Sequence, residues 1–236
     1  MSDFTAALAA FVLLHVGVSA TGLRAVLVSR IGEGPYRGLF SLASLALLIW
    51  LVHAYGVMRA DPANPLNSPV WAPPQAFRYA AYVFVLVGFL LGVAGVLTPG
   101  PTLAGFEGAL RKPEPATGVL RITRHPFLWG VALWACGHLL VNGERFAVML
   151  FGALGLMALL GTRSIDRKRR ARDPEDWARF AAATSNVPFA AIAQGRNTLR
   201  IGEFWLRALI AILVFAAVGY FHGALIGVPA FPASAP

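Results

Sequence analysis

The chain has 236 residues, 57% of them hydrophobic and only 13% charged, with a formal net charge of +9. Soluble domains carry roughly 25% charged residues, so this composition excludes a water-covered globule. The positive charge is gathered in short loops between apolar runs, which makes lipid headgroups its nearer partner and argues against nucleic acid.

Six apolar runs follow one another along the chain, and a helix needs about 20 residues to cross ~30 Å of hydrocarbon. The first, 4–23, carries His15. It has an acid, Asp3, before it and no small-residue cleavage site directly after it, so it reads as a span and not as a cleaved signal. The second, 38–58, carries His53. A loop rich in Pro and Asn follows and ends in Trp71-Ala72-Pro73-Pro74, an aromatic at interface depth. The third run is 79–97. The fourth, 126–141, opens on Pro126, where a missing N–H costs nothing, and carries Cys136 and His138. The fifth is 146–161. Runs four and five have 16 residues each, short for a crossing, and the turn Asn142-Gly143-Glu144-Arg145 joins them as a helical hairpin.

The basic stretch 164–203 is expected on the cytoplasmic side. Within it Trp177, Phe180 and Ala181 share a face, which suggests a short helix in the headgroup region. The sixth run is 204–228, and the tail 228–236 is expected to be disordered. No repeat or separate soluble domain interrupts the chain. The fold class is all-α: one domain over 1–236, a polytopic integral membrane bundle of about six transmembrane helices.

Loop charge sets the orientation. Of the 20 Lys and Arg residues, 17 fall in the first, third and fifth loops and 3 in the second and fourth. The positive-inside rule then places the odd-numbered loops in the cytoplasm and both termini on the other side. In a bacterium this means the inner membrane with periplasmic termini.

Three of the five histidines, His15, His53 and His138, fall well inside apolar runs. Ionisable residues at membrane depth are costly and usually face the bundle interior, where they mark function. The plainer role is a neutral imidazole hydrogen-bonded to a neighbouring helix. At 1.5 Å per residue, His15 lies ~14 Å from the edge marked by Arg24, His138 ~21 Å from Arg124 and His53 ~23 Å from Gly38. Two imidazoles on different helices at similar depth can ligate one haem iron. Depth favours His53 with His138 and leaves His15 open. No Cys-x-x-Cys-His is present, so such a haem is held non-covalently. Carboxylates at depth are lacking, which disfavours zinc.

His125 lies beside Arg124 at the start of the fourth run. Positive charge at a helix N-terminus opposes the dipole unless an anion is present. The pair therefore suggests a site for an anionic headgroup, a haem propionate or a nucleotide, against the alternative of a solvated basic loop. Cys136, the one cysteine, reads as small packing between helices.

Several stretches together carry a resemblance: Arg124-His125-Pro126-Phe127-Leu128-Trp129-Gly130 through Trp134, His138 and Asn142-Gly143; His15, Arg24, Gly32-Glu33, Tyr36 and Ser41; and Ile165-Asp166, Trp177, Thr184-Ser185, Pro188-Phe189 and Gly195-Arg196. Over nearly its whole length the chain resembles the NnrU family. That resemblance implies a membrane protein tied, in denitrifying bacteria, to nitrite and nitric oxide reduction. It also implies kinship with the 15-cis-zeta-carotene isomerases, a branch that uses haem b ligated by histidine. Carried over by motif, the implied ligands are His15 and His138, with His53 matching a further family histidine. The isomerase branch has a Cys directly after the tryptophan; here Ala135 stands there and Cys136 follows.

Arg124-His125-Pro126 followed by a basic and aromatic segment is also similar, more distantly, to membrane methyltransferases of isoprenylcysteine and phospholipids, where this region helps bind S-adenosylmethionine. Those enzymes have an acidic pair; here Asp166 stands alone among Arg163, Arg167, Lys168, Arg169 and Arg170. Three functions follow. The first is a haem-dependent, isomerase-like or redox step on a hydrophobic or haem-linked substrate. The second is methyl transfer, and the third a non-enzymatic assembly or transport role.

Overall fold

The computed structural model describes residues 2–231, the side chains of 19 and 20 excepted. Among these residues all regular structure is helical, and the one β-type contact is an isolated bridge between Pro69 and Glu144. The helices are α1 (Asp3–Ala20), α2 (Leu23–Ile31), α3 (Glu33–Ala60), α4 (Phe77–Val96), α5 (Pro126–Leu139), α6 (Arg145–Arg172), α7 (Pro174–Ala183), α8 (Ala190–Ala193) and α9 (Trp205–Ile226).

Local chemistry explains the boundaries. Ser2 caps α1 by accepting from the Thr5 amide, and Asp3 complements the positive end of the dipole. Gly32, at φ +83°, separates α2 from α3. Pro174 opens α7 at its first position and so prevents α6 from continuing past Arg172. Gly227, left-handed at φ +80°, closes α9 by donating to the Gly223 carbonyl.

α3, α4, α6 and α9 are each long and apolar enough to cross a membrane. The sharply bent pair α1–α2 makes a fifth span only if taken as one, and α5, with 14 residues, is shorter. All six apolar runs are therefore helical, and the chain is an all-α membrane bundle of four to five full spans plus a short one. One expectation is corrected. The fifth run is not short, because α6 runs for 28 residues. Arg, Lys and Ala are good helix formers, so the basic residues 163–172 prolong the helix after its apolar part ends.

The loops sort to two ends. At one end Arg24 and Arg37 both bond Glu33, Arg37 and Arg169 both bond Glu107, and Arg124 bonds Asp166. The first, third and fifth loops thus meet at a single arginine-rich end. At the opposite end the Val70 amide donates to Gly143 and the Arg145 amide to Ser68, so the loop 61–76 roofs the turn between α5 and α6. Ala230 and Phe231 pack back on Tyr82 of α4, while residues 232–236, the rest of the expected disordered tail, lie outside the described residues.

The main core joins Phe4, Ala7, Leu8 and Phe11 of α1 to Leu51, Ala54 and Met58 of α3, Ala135 of α5, and Phe146, Ala147 and Phe151 of α6. α4 and α5 pack backbone to backbone: a Cβ on Gly130 would lie 2.6 Å from the Gly92 Cα, and one on Gly88 2.9 Å from the Gly130 carbonyl oxygen. Only glycine permits that approach. The face of α7 expected at the headgroups is covered by protein instead. Trp177 and Phe180 are fully buried against Leu110 and Ala116.

Candidate functional site

Two places in the bundle concentrate chemistry. The first is at the arginine-rich end, where residues 118–125 lead into α5. The Arg124 amide donates to the Ser185 carbonyl, and Thr102 donates its hydroxyl to the Arg124 carbonyl. Its guanidinium then grips Asp166 of α6, with Nη2 2.6 Å from Oδ2 and Nε 3.0 Å from both oxygens, while lying over the Trp177 ring. His125, 2% exposed, donates from Nε2 to the other carboxylate oxygen, Asp166 Oδ1, at 2.6 Å.

A carboxylate only accepts, so His125 Nε2 carries a proton. Burial holds the His125 imidazole below the usual histidine range in spite of Asp166, so the ring is neutral and its Nδ1 is a lone pair. That nitrogen is buried without a hydrogen-bond partner. A hydrogen-bonded layer surrounds the trio. Thr123 donates to the Asn186 carbonyl, Trp129 Nε1 to Asn186 Oδ1, and Asn186 Nδ2 to Thr162.

The solvated basic loop considered for Arg124-His125 is therefore ruled out. Their counter-anion is Asp166, the acid that the sequence shows alone among cations. Forty-two residues separate Arg124 from Asp166. The available signal was a single acid in the basic end of a helix facing the same loops as Arg124.

The second place lies in the apolar interior. His15 Nδ1 is 2.8 Å from the Phe11 carbonyl, four residues back, and the Phe11 ring covers the imidazole at 4.3 Å between centroids. Phe40 of α3 meets its other side edge-on at 5.4 Å. His138 repeats the arrangement on α5. Its Nδ1 is 2.8 Å from the Trp134 carbonyl, the Trp134 ring sits at 4.6 Å, and Phe151 of α6 stacks on it at 4.6 Å. A carbonyl only accepts, so in both residues Nδ1 holds the proton. A neutral ring then presents Nε2 as a lone pair, and neither Nε2 makes a hydrogen bond to protein.

The His15 and His138 rings do not touch each other. Their collars nevertheless meet in one core, since Phe11 and Phe151 are members of it and Trp134 packs against it. His53 is on the exposed face of α3 and makes no hydrogen bond or ring contact. His222 bonds the Val228 carbonyl near the end of α9. Among the described residues no three His, Cys, Asp or Glu side chains form a metal-binding group. Cys136 is a half-buried free thiol on α5.

Comparison with known proteins adds an independent finding. The family model described as NnrU protein matches residues 3–230. The chloroplastic 15-cis-zeta-carotene isomerase of Arabidopsis thaliana is 31% identical over 221 residues, covering 89% of this chain and 56% of that protein. Its counterpart from Zea mays is 29% identical over 224 residues, covering 89% and 57%. The chain thus spans little more than half the length of these curated relatives. No solved structure matches it.

Proposed function

The chain belongs to the NnrU family, and from that premise we propose that it is a haem-binding membrane protein with an isomerase-like action on a hydrophobic, conjugated substrate. The observation that carries this reading is the repeated geometry of His15 and His138. In each, an aromatic residue four places earlier bonds Nδ1–H through its carbonyl and covers the ring with its side chain. A histidine that ligates a metal through Nε2 characteristically donates its other ring N–H to a carbonyl or carboxylate, which fixes the tautomer and raises basicity. This geometry supports haem b as the cofactor, with His15 and His138 as the residues that would hold it. His53, facing outward from α3, is the reserve.

Haem, when bound, supplies a redox-active iron, and the chemistry is the cofactor's own. The protein's part is orientation and exclusion of water. Phe11, Phe40, Trp134 and Phe151 set apolar surface against the half-buried imidazoles, and the membrane span gives a hydrophobic substrate direct access from lipid. The name of the relatives, 15-cis-zeta-carotene isomerase, suggests a linear polyene whose cis double bond is turned to trans, a reaction that neither adds nor removes atoms. A supporting role in nitrite and nitric oxide reduction would use the same ligands. Methyl transfer is disfavoured, because Arg124 and His125 spend their Asp166-facing donors inside the protein.

The test is the visible spectrum of protein purified in detergent from haem-supplied cells. A reducible Soret band is expected. It disappears in His138→Ala and His15→Ala, persists in His53→Ala, and persists in Arg124→Ala with weakened function. Absence of the band from the wild type, or its retention in His138→Ala, overturns the assignment.

A further inference from the structure

Apart from both sites, the arginine-rich end holds a groove of about 390 Å³ between the 113–116 loop, the end of α7 and the 195–200 loop. Arg121, Arg179, Arg196 and Arg200 stand on its walls with a single carboxylate, Glu114. Arg121 is buried and fully engaged, with Glu203 through Nε and Nη2, with Asn197 through Nη1 and with Glu114 through Nη2. Glu203, whose carboxyl is held down to about 2 chiefly by Arg121, stays ionised. Four guanidinium charges against the three carboxylates that bond them, Glu114, Glu203 and Asp176, leave a net +1.

The other three arginines are engaged in part. Arg196 Nη1 donates to the carbonyls of Ala181, Ala182 and Thr184, and its Nε to Gln194. Arg179 Nη2 donates to Leu110, Lys112 and Asp176. Arg200 Nη1 reaches Glu114 and Glu203. Among the described residues Arg196 Nη2, Arg179 Nη1 and Arg200 Nη2 have no acceptor. Backbone carbonyls thus pre-set Arg179 and Arg196, and carboxylates pre-set Arg200. Planar donors held in that way match the forked hydrogen bonding of a phosphate. Location narrows the ligand further. Arg200 lies between the exposed Leu199 and Ile201, and exposed Trp205 begins α9 just beyond. Apolar residues with a tryptophan at a span's start mark the depth of lipid headgroups.

We propose that this groove binds the phosphate of an anionic ligand, either an acidic phospholipid headgroup or a soluble phosphate ester. The proposal is independent of the haem reading, because none of the groove's residues touches His15, His138 or Asp166.

The experiment uses the full chain in neutral detergent, with phosphatidylglycerol, phosphatidylcholine and inorganic phosphate as probes. Native mass spectrometry is expected to show phosphatidylglycerol retained and phosphatidylcholine lost. The Arg179→Gln/Arg200→Gln variant loses that retention by on the order of tenfold, while Arg163→Gln, an exposed cation outside the groove, keeps it. The single variant Arg200→Gln, at a half-exposed side chain, serves if the double variant melts early. A melting temperature raised by inorganic phosphate in the wild type but not in Arg200→Gln assigns the site to soluble phosphate. Equal retention of both lipids with no effect of phosphate overturns the proposal, as does phosphatidylglycerol retention unchanged in both variants.

Discussion

The arginine-rich end and the apolar interior solve the problem of polar groups in opposite ways. Around Asp166 a carboxylate, a guanidinium and an imidazole bond one another across three segments, with Thr123, Asn186 and Trp129 in the layer behind them and His125 Nδ1 left without a partner. In the interior each histidine is satisfied at one nitrogen by its own helix, and the rest of its surroundings is aromatic. A charged network that ties distant segments together holds a structure in place. A half-satisfied imidazole costs the fold little and leaves one nitrogen available, which is what a ligand position requires.

The widest gap between the two regions should appear on removing one member of each. Asp166→Ala strands Arg124 beside His125 in a largely buried place, and breaking a buried pair costs about 3–5 kcal/mol. Unfolding by denaturing detergent should show that loss, and a cost under about 1 kcal/mol would mean that water already screens the trio.

Next comes the seam that joins the regions. Gly130→Ala drives a methyl into the α4 backbone and should cost roughly 1–3 kcal/mol through overpacking. Its effect should be additive with Asp166→Ala if the two regions are independent. His138→Leu should be milder, within about 1 kcal/mol, because it gives up one local hydrogen bond and keeps the apolar packing. A loss as large as that of Asp166→Ala would make His138 a structural residue.

The smallest effect is that of mild acid. The folded His125 titrates below its ordinary value of 6.5, so stability is full above pH 6.5 and declines as pH falls from there toward the folded value. Glu203, also depressed, contributes above about pH 4.5, and its share is lost as pH falls toward about 2. A melting temperature that rises between pH 6.5 and 5 would contradict the neutral imidazole.

What the sequence made legible follows the same division. Apolar runs and proline starts are local signals, and they placed all six apolar helices; of the three histidines expected inside, His15 and His138 are half-buried and His53 is on the exposed face of α3. The matching collars of His15 and His138 were within reach too, since Phe11 and Trp134 stand four residues before them on their own helices. Asp166 was not legible as a partner, nor Glu203 as the anchor of Arg121 across 82 residues. A charge in a loop carries no mark of which distant charge it will meet. The end of α6 was missed for a different reason: counting apolar residues measures the hydrocarbon, whereas the helix continues as long as its backbone is favoured.

The brevity of α5 carries one more consequence. Fourteen residues rise about 21 Å, while a typical hydrocarbon layer is ~30 Å thick. A helix of that length leaves the turn after α5 short of the far lipid surface, and the hydrogen bonds from the Val70 amide to Gly143 and from the Arg145 amide to Ser68 supply what water would have supplied there. Lipid beside this helix must thin to meet it, at a cost that grows with each added ångström of acyl chain. Acyl-chain length thus becomes an environmental variable for the chain: membranes with short or fluid tails hold α5 at its natural depth, and thick, ordered ones press on it.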